Sequence, residues 1–163
     1  MCVPSKLKSY FHQINSKIDT NTIVSGIVTC CSCSEFDVLC YGNIKKSLLG
    51  HISLCDKTDG IVVRLRCKKC GEEIEVFNSF TDGYNRCIEE KVDCVNFQFQ
   101  SFYCNAHEHS NISVEVIFEY PPKQELIEDE ITECDNAFSW IWISLKCNIC
   151  NKSFKNFVDY ETS

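Results

Sequence analysis

The sequence predicts a mainly β protein: two tandem β-hairpin modules behind an N-terminal amphipathic helix. Three observations carry this. Apolar and polar residues alternate through several short segments, the period of a half-buried strand. Cysteines recur in pairs two residues apart. The chain also superposes on itself, the mark of an internal repeat.

The elements follow in order. Leu7, Tyr10, Phe11, Ile14 and Ile18 recur at helical spacing, which predicts a helix over 5–20 packed on the first module. His12, beside that stripe, reads as structural or exposed. Residues 61–67 put Ile61, Val63, Leu65 and Cys67 on one face and Val62, Arg64, Arg66 and Lys68 on the other. Residues 112–120 and 141–147 alternate in the same way. Further strands are predicted at 36–41, 73–80, 97–103 and 153–159. Lys45 to Leu49 reads as a helical turn. Tyr84 to Cys94 reads as a short helix after the turn signal at Thr81, Asp82 and Gly83. Pro121 and Pro122 end a strand and open an acidic loop. The expected organisation is an N-terminal helix (1–24), a first module (25–83), a connector (84–96) and a second module (97–163).

Cysteine is the compositional outlier, with 14 among 163 residues. Three pairs, Cys30/Cys33, Cys67/Cys70 and Cys147/Cys150, have C-x2-C spacing, and Cys104/His107 matches them with histidine second. Two intervening residues make a tight turn that points both side chains at one ion, and two such turns supply four tetrahedral ligands. A shift of 80 lays 61–70 over 141–150, Ile74 under Phe154 and Phe77 under Phe157. A shift of 74 lays Cys30 under Cys104 and Cys33 under His107. Core packing alone does not impose equal ligand spacing on two copies. Cys31 and His109 offer the same chemistry as Cys30 and His107. The pairs could also associate across copies.

Cys67-Lys-Lys-Cys70-Gly71 resembles the knuckle of the zinc-ribbon, rubredoxin-like fold group, over 25–80 and again over about 97–160. The resemblance implies two structural Zn2+ ions per chain. One would be held by Cys30, Cys33, Cys67 and Cys70, the other by Cys104, His107, Cys147 and Cys150. Rubredoxin-like knuckles also accept iron, so the all-cysteine site admits it. The usual glycine after the second ligand is Ser34 in one knuckle and Asn151 in another. Asn adopts the left-handed conformation readily, and Ser less so.

The N-terminus has no signal-peptide core and no run approaches a membrane span, so a reduced, cytoplasmic protein is expected. Net charge is −7. Thiolate ligation of two zinc ions would bring it to about −10. Such a chain is a poor general binder of phosphate backbones. The expectation is a non-catalytic, protein-binding scaffold that does not bind membranes. The alternative is a nucleic-acid-associated regulator using Arg64, Arg66, Lys68 and Lys69. Its acidic counterpart at 125–131, and Trp140 with Trp142 on the noncore face of their strand, suit a protein interface. Four protein ligands per ion leave no open position for catalysis. Neither a His-Glu-x-x-His string nor a phosphate-binding glycine motif occurs.

Overall fold

The computed structural model describes residues 3–57, 60–89, 96–104 and 110–163. Its strands are β1 (Phe11–Ile18), β2 (Thr22–Val28), β3 (Phe36–Tyr41), β4 (Asn43–Lys46), β5 (Ile52–Cys55), β6 (Val62–Cys67), β7 (Glu73–Asn78), β8 (Gln100–Phe102), β9 (Ile112–Tyr120), β10 (Trp140–Cys147) and β11 (Ser153–Glu161). Two short helices, α1 (Tyr84–Ile88) and α2 (Lys123–Glu128), complete it with two 3-10 turns. The fold is mainly β, as the alternating segments predict. None of the described helices is long and apolar enough to cross a membrane.

Nine strands form one curled sheet, and β4 and β5 form a separate hairpin. The strand β9 organises the large sheet. One of its edges pairs with β2, from Thr22↔Tyr120 to Ile27↔Glu115, and then meets β3 at Phe36↔Ile112. Its other edge pairs with β10, from Trp140↔Glu119 to Cys147↔Ile112. Because β3 also pairs with β6, Cys67, Phe36, Ile112 and Cys147 form one row across four adjacent strands. At about 4.8 Å per strand, Cys67 and Cys147 are on the order of 14 Å apart at the same end of the sheet.

Curling brings distant strands face to face. Phe102 on β8 meets Phe154 and Phe157 on β11, each with ring centroids 5.0 Å apart. Phe77 on β7 meets Tyr160 on β11 at 5.3 Å. The inward residues of both halves join one buried cluster, which includes Val38, Leu65, Phe118, Ile143 and Phe157.

The β6–β7 and β10–β11 hairpins correspond in detail. Next to their turns they share a register, Leu65↔Ile74 and Leu145↔Phe154, and each has an irregularity just beyond. The N–H after the first cysteine is held alike in both, Lys68 N–H by Glu35 O and Asn148 N–H by Asn111 O.

Three sequence expectations are corrected. The N-terminal amphipathic helix is absent: Ser5–Leu7 is one 3-10 turn, and Phe11–Ile18 is a strand on β2. Asn15 and Ser16 are weak helix formers, and a ladder of seven residue pairs with β2 outweighs the residual helical preference. Ile14 and Ile18 are exposed, so the apparent stripe was never one buried face. The expected helical turn at 45–49 is the end of β4 and its turn, closed by Gly50 N–H on Ser47 O at 3.0 Å. Leu48 and Leu49 stand fully exposed at its tip.

The acidic loop after Pro122 is the helix α2. Proline suits a helix start, and Glu125 in the first turn faces the positive end of the helix dipole. Leu126 buries against Tyr84 and Ala137, and the Tyr84 hydroxyl donates to Asp129. The short helix expected after Gly83 is present as α1; its predicted end, at 90–94, lies outside the described residues. It is tied to the C-terminal strand region by Tyr84 N–H on Phe138 O and Asn85 N–H on Thr162 O, each 2.9 Å.

Candidate metal centres

Each hairpin turn that carries a C-x2-C pair is shaped to present sulfur. In the β6–β7 turn, Gly71 N–H bonds to Cys67 O at 2.8 Å and Cys67 N–H bonds to Glu72 O at 2.8 Å. The turn closes only if residue 71 is left-handed, and Gly71 has φ +77°. The β10–β11 turn repeats both bonds at 2.9 Å, with Asn151 at φ +61° in place of glycine. A Cβ at Gly71 would meet nothing within 4 Å. Gly71→Ala is therefore expected to cost about 1–2 kcal/mol of backbone strain alone. Gly71→Asn should recover most of it, as read by urea unfolding.

The first sulfur of each turn sits under backbone donors. Burial pushes the Cys67 thiol up, but the N–H groups of Cys70 and Lys69 pull it down to about 7. Cys147 is likewise raised by burial and lowered further by the N–H groups of Cys150 and Ile149, so it ends below its ordinary value. Donors aimed at sulfur favour thiolate, the ligand form.

The Cys30/Cys33 turn is built differently. Cys30 and Cys33 exchange two backbone hydrogen bonds of 2.8 Å, and Cys31 and Ser32 are both left-handed, at φ +51° and +61°. This is the two-residue geometry of a type I′ hairpin turn. It moves Cys31 Sγ to within 3.8 Å of Cys30 Sγ.

Two groups of three sulfurs result, each with all Sγ atoms within 4.8 Å of one another: Cys30, Cys31 and Cys70, and Cys104, Cys147 and Cys150. Cys30 and Cys70 Sγ are 3.5 Å apart, and Cys104 and Cys150 Sγ 3.6 Å. A disulfide would hold the sulfurs at about 2.05 Å. Tetrahedral zinc, with Zn–S near 2.3 Å, holds them about 3.8 Å apart. Spacing and donor type thus fit a metal ion at either place. The groups form within each half of the sequence, one on the turns at 30–33 and 67–70, the other on Cys104 and the turn at 147–150.

The predicted site residues distribute as follows. Cys30 and Cys70 are in the first group, and Cys67 touches both through its sulfur. Cys33 lies outside the three-sulfur group; its Sγ accepts from Glu35 N–H at 3.4 Å. Cys70 takes the same kind of bond from Glu72 N–H. Cys31, which the sequence offers as a competitor, is inside the group. Cys104, Cys147 and Cys150 form the second group. His107, with its competitor His109, lies outside the described residues.

Some participants had no sequence signal. Cys30 Sγ donates to Glu72 Oε2 at 3.4 Å, and the Tyr10 hydroxyl donates to Glu72 Oε1 at 2.5 Å. Burial is the largest influence that raises the Cys30 thiol, followed by Cys70 and Glu72. Tyr10 reaches this carboxylate only because 5–18 is a turn and strand instead of a helix. Lys69 Nζ donates to Cys31 O at 3.1 Å and so latches the two turns together. Cys40 is a core thiol, driven by burial up to about 12.

The basic cluster is internally satisfied. Arg64 pairs with Glu75 at 3.0 Å, Arg66 with Glu73 at 2.6 Å, and Lys68 with Asp37 at 2.7 Å. The Arg64 guanidinium also covers the Phe99 ring at 4.6 Å. With Lys69 on Cys31 O, each of the four cations has a protein partner, which weighs against a phosphate-binding face. Among known proteins, no family model, no curated sequence and no solved structure matches this chain, so its two sulfur groups carry the functional reading.

Proposed function

We propose that the chain is a non-catalytic, protein-binding scaffold held by two structural zinc ions, on two zinc-ribbon-like hairpin turns, in a reducing cytoplasmic setting. The observation that carries this is the pair of three-sulfur groups at zinc spacing, placed at corresponding hairpin ends of two half-chains. Site one takes Cys30, Cys31 and Cys70 with Cys67 as fourth donor, and Cys33 as the thiol of the same turn that can replace Cys31. Site two takes Cys104, Cys147 and Cys150 with His107. Zinc supplies cross-linking here: it neutralises clustered thiolates and closes loops that span 37 and 43 residues between first cysteines (67 against 30, 147 against 104). Four protein donors per ion exclude substrate from the coordination sphere.

The test is metal analysis of chain purified under reducing conditions, with native mass spectrometry. Two zinc per chain is the expected result. Cys33→Ser should retain both ions through Cys31, whereas the double variant Cys31→Ser/Cys33→Ser should hold one. A metal-free, folded chain would overturn the reading. Iron in site one would show as thiolate-to-iron absorbance and would change the ion but not the scaffold.

A further inference from the structure

The outer face of the sheet carries an aromatic patch that the metal sites do not use. Along β10 burial alternates: Ile141, Ile143 and Leu145 face the core, and Trp140 and Trp142 stay half-exposed on the opposite side. The two indoles stack with centroids 5.7 Å apart and planes 14° from parallel. Trp140 Nε1 donates to Asp159 Oδ1 at 2.6 Å, which fixes the stack's orientation. Strand register sets its neighbours. Trp140 lies between Glu119 and Glu161, with Ile23 beyond Glu119. Trp142 lies between Ile117 and Asp159.

Among the described residues, no lysine or arginine forms an ion pair with Glu115, Glu119, Asp159 or Glu161. On β7, by contrast, Glu73 and Glu75 are ion-paired with Arg66 and Arg64. Here the stacked indoles are flanked by carboxylates without a cation partner, although Asp159 accepts from Trp140 and Glu119 Oε1 accepts from Asn21 Nδ2 at 2.5 Å.

We infer that the face of β9, β10 and β11 around Trp140 and Trp142 is a docking surface for an arginine-bearing, extended segment of a partner protein. A guanidinium is planar. It stacks on indole while its N–H groups reach a carboxylate beside the ring, and this surface offers both at once. Ammonium groups stack less well and are more strongly hydrated, so arginine is preferred over lysine. The inference rests on the protein-binding part of the proposed function and names the chemistry of its partner.

Trp140 and Trp142 are the chain's two tryptophans, so fluorescence excited selectively at tryptophan, away from the absorption of the six tyrosines, reads this patch alone. The full chain is titrated with a short arginine–serine peptide, its lysine–serine analogue and a glutamate–serine control. The expected result is a saturable emission change with the arginine peptide, weaker with lysine and absent with glutamate, declining as salt rises. Trp142→Ala should weaken binding at least tenfold. Asp159→Asn with Glu161→Gln, both exposed positions, should weaken it severalfold and flatten its salt dependence. Equal response to the glutamate peptide, no response to the arginine peptide at low salt, or unchanged affinity in the neutralised variant would overturn the inference. Zinc content is measured on the same samples. Zinc-loaded protein that ignores the arginine peptide overturns this surface alone. Zinc-free, folded protein that binds it supports the surface and overturns the scaffold reading.

Discussion

Replacing Cys147 with serine is expected to lower the melting temperature by about 10 °C or more and to remove one of two metal equivalents. Cys147 is fully buried, belongs to the second sulfur group, and takes N–H donors from Ile149 and Cys150. Serine is nearly isosteric, so packing is preserved while the thiolate is lost. Structural zinc contributes roughly 10–16 kcal/mol of apparent binding energy in finger peptides. Whole domains are stable by only about 5–15 kcal/mol. Losing even about 3–5 kcal/mol of that contribution corresponds to on the order of 10 °C for a chain of this length.

The consequence spreads because Cys147 is paired with Ile112, which pairs in turn with Phe36. Loosening this turn loosens the one place where β3 and β9 meet. Cys40→Ser is the control: equally buried, raised by burial alone and outside both sulfur groups. It should cost about 1–3 kcal/mol with both ions retained. Calorimetry with metal analysis distinguishes the two. Loss of an ion from the Cys147 variant with a melting point within about 3 °C of the parent would show that metal does not hold this fold.

Phe118→Ala is expected to destabilise by about 3–5 kcal/mol while leaving both metal sites filled. Phe118 is on β9, fully buried, with its ring 5.1 Å from Phe138, 5.9 Å from Phe11 and 6.4 Å from Tyr120. These partners come from the N-terminal strand, from β9 and from the segment before β10. Truncation therefore leaves a cavity whose walls are anchored in separate elements and cannot collapse together. Urea unfolding should show a lower midpoint with an unchanged slope. A loss below about 1 kcal/mol would mean that the core repacks around the missing ring. Zinc release at native pH would mean that core and metal sites are one energetic unit.

The contrast between these variants reflects how the fold is read. Alternation along 62–67, 112–120 and 140–147 needs no partner to be visible, because one face of each strand must be apolar wherever the core is. The same holds for the two hairpin turns: spacing places the sulfurs, and Asn151 substitutes for glycine because it tolerates a positive φ. The first knuckle was less legible. Cys31 and Cys33 have equivalent chemistry, and only the double left-handed turn at Cys31 and Ser32 brings Cys31 Sγ beside Cys30. The segment 5–20 misleads for a related reason. Leu7, Phe11, Ile14 and Ile18 satisfy a helical period, but the free energy that decides the matter is a ladder with β2.

The sequence by itself determined the β character, the two-residue spacing of the cysteines and the likeness of 61–70 to 141–150. These are local properties, set by side-chain period and turn conformation within a few residues. Only the tertiary structure decided that β9 lies between β2 and β10, that Phe36 meets Ile112, and that both sulfur groups share one end of one sheet. It also decided that Tyr10 reaches Glu72 and that Glu119, Asp159 and Glu161 ring the tryptophans. Those contacts join residues up to about a hundred positions apart, and no local pattern encodes a register between strands so distant in the chain.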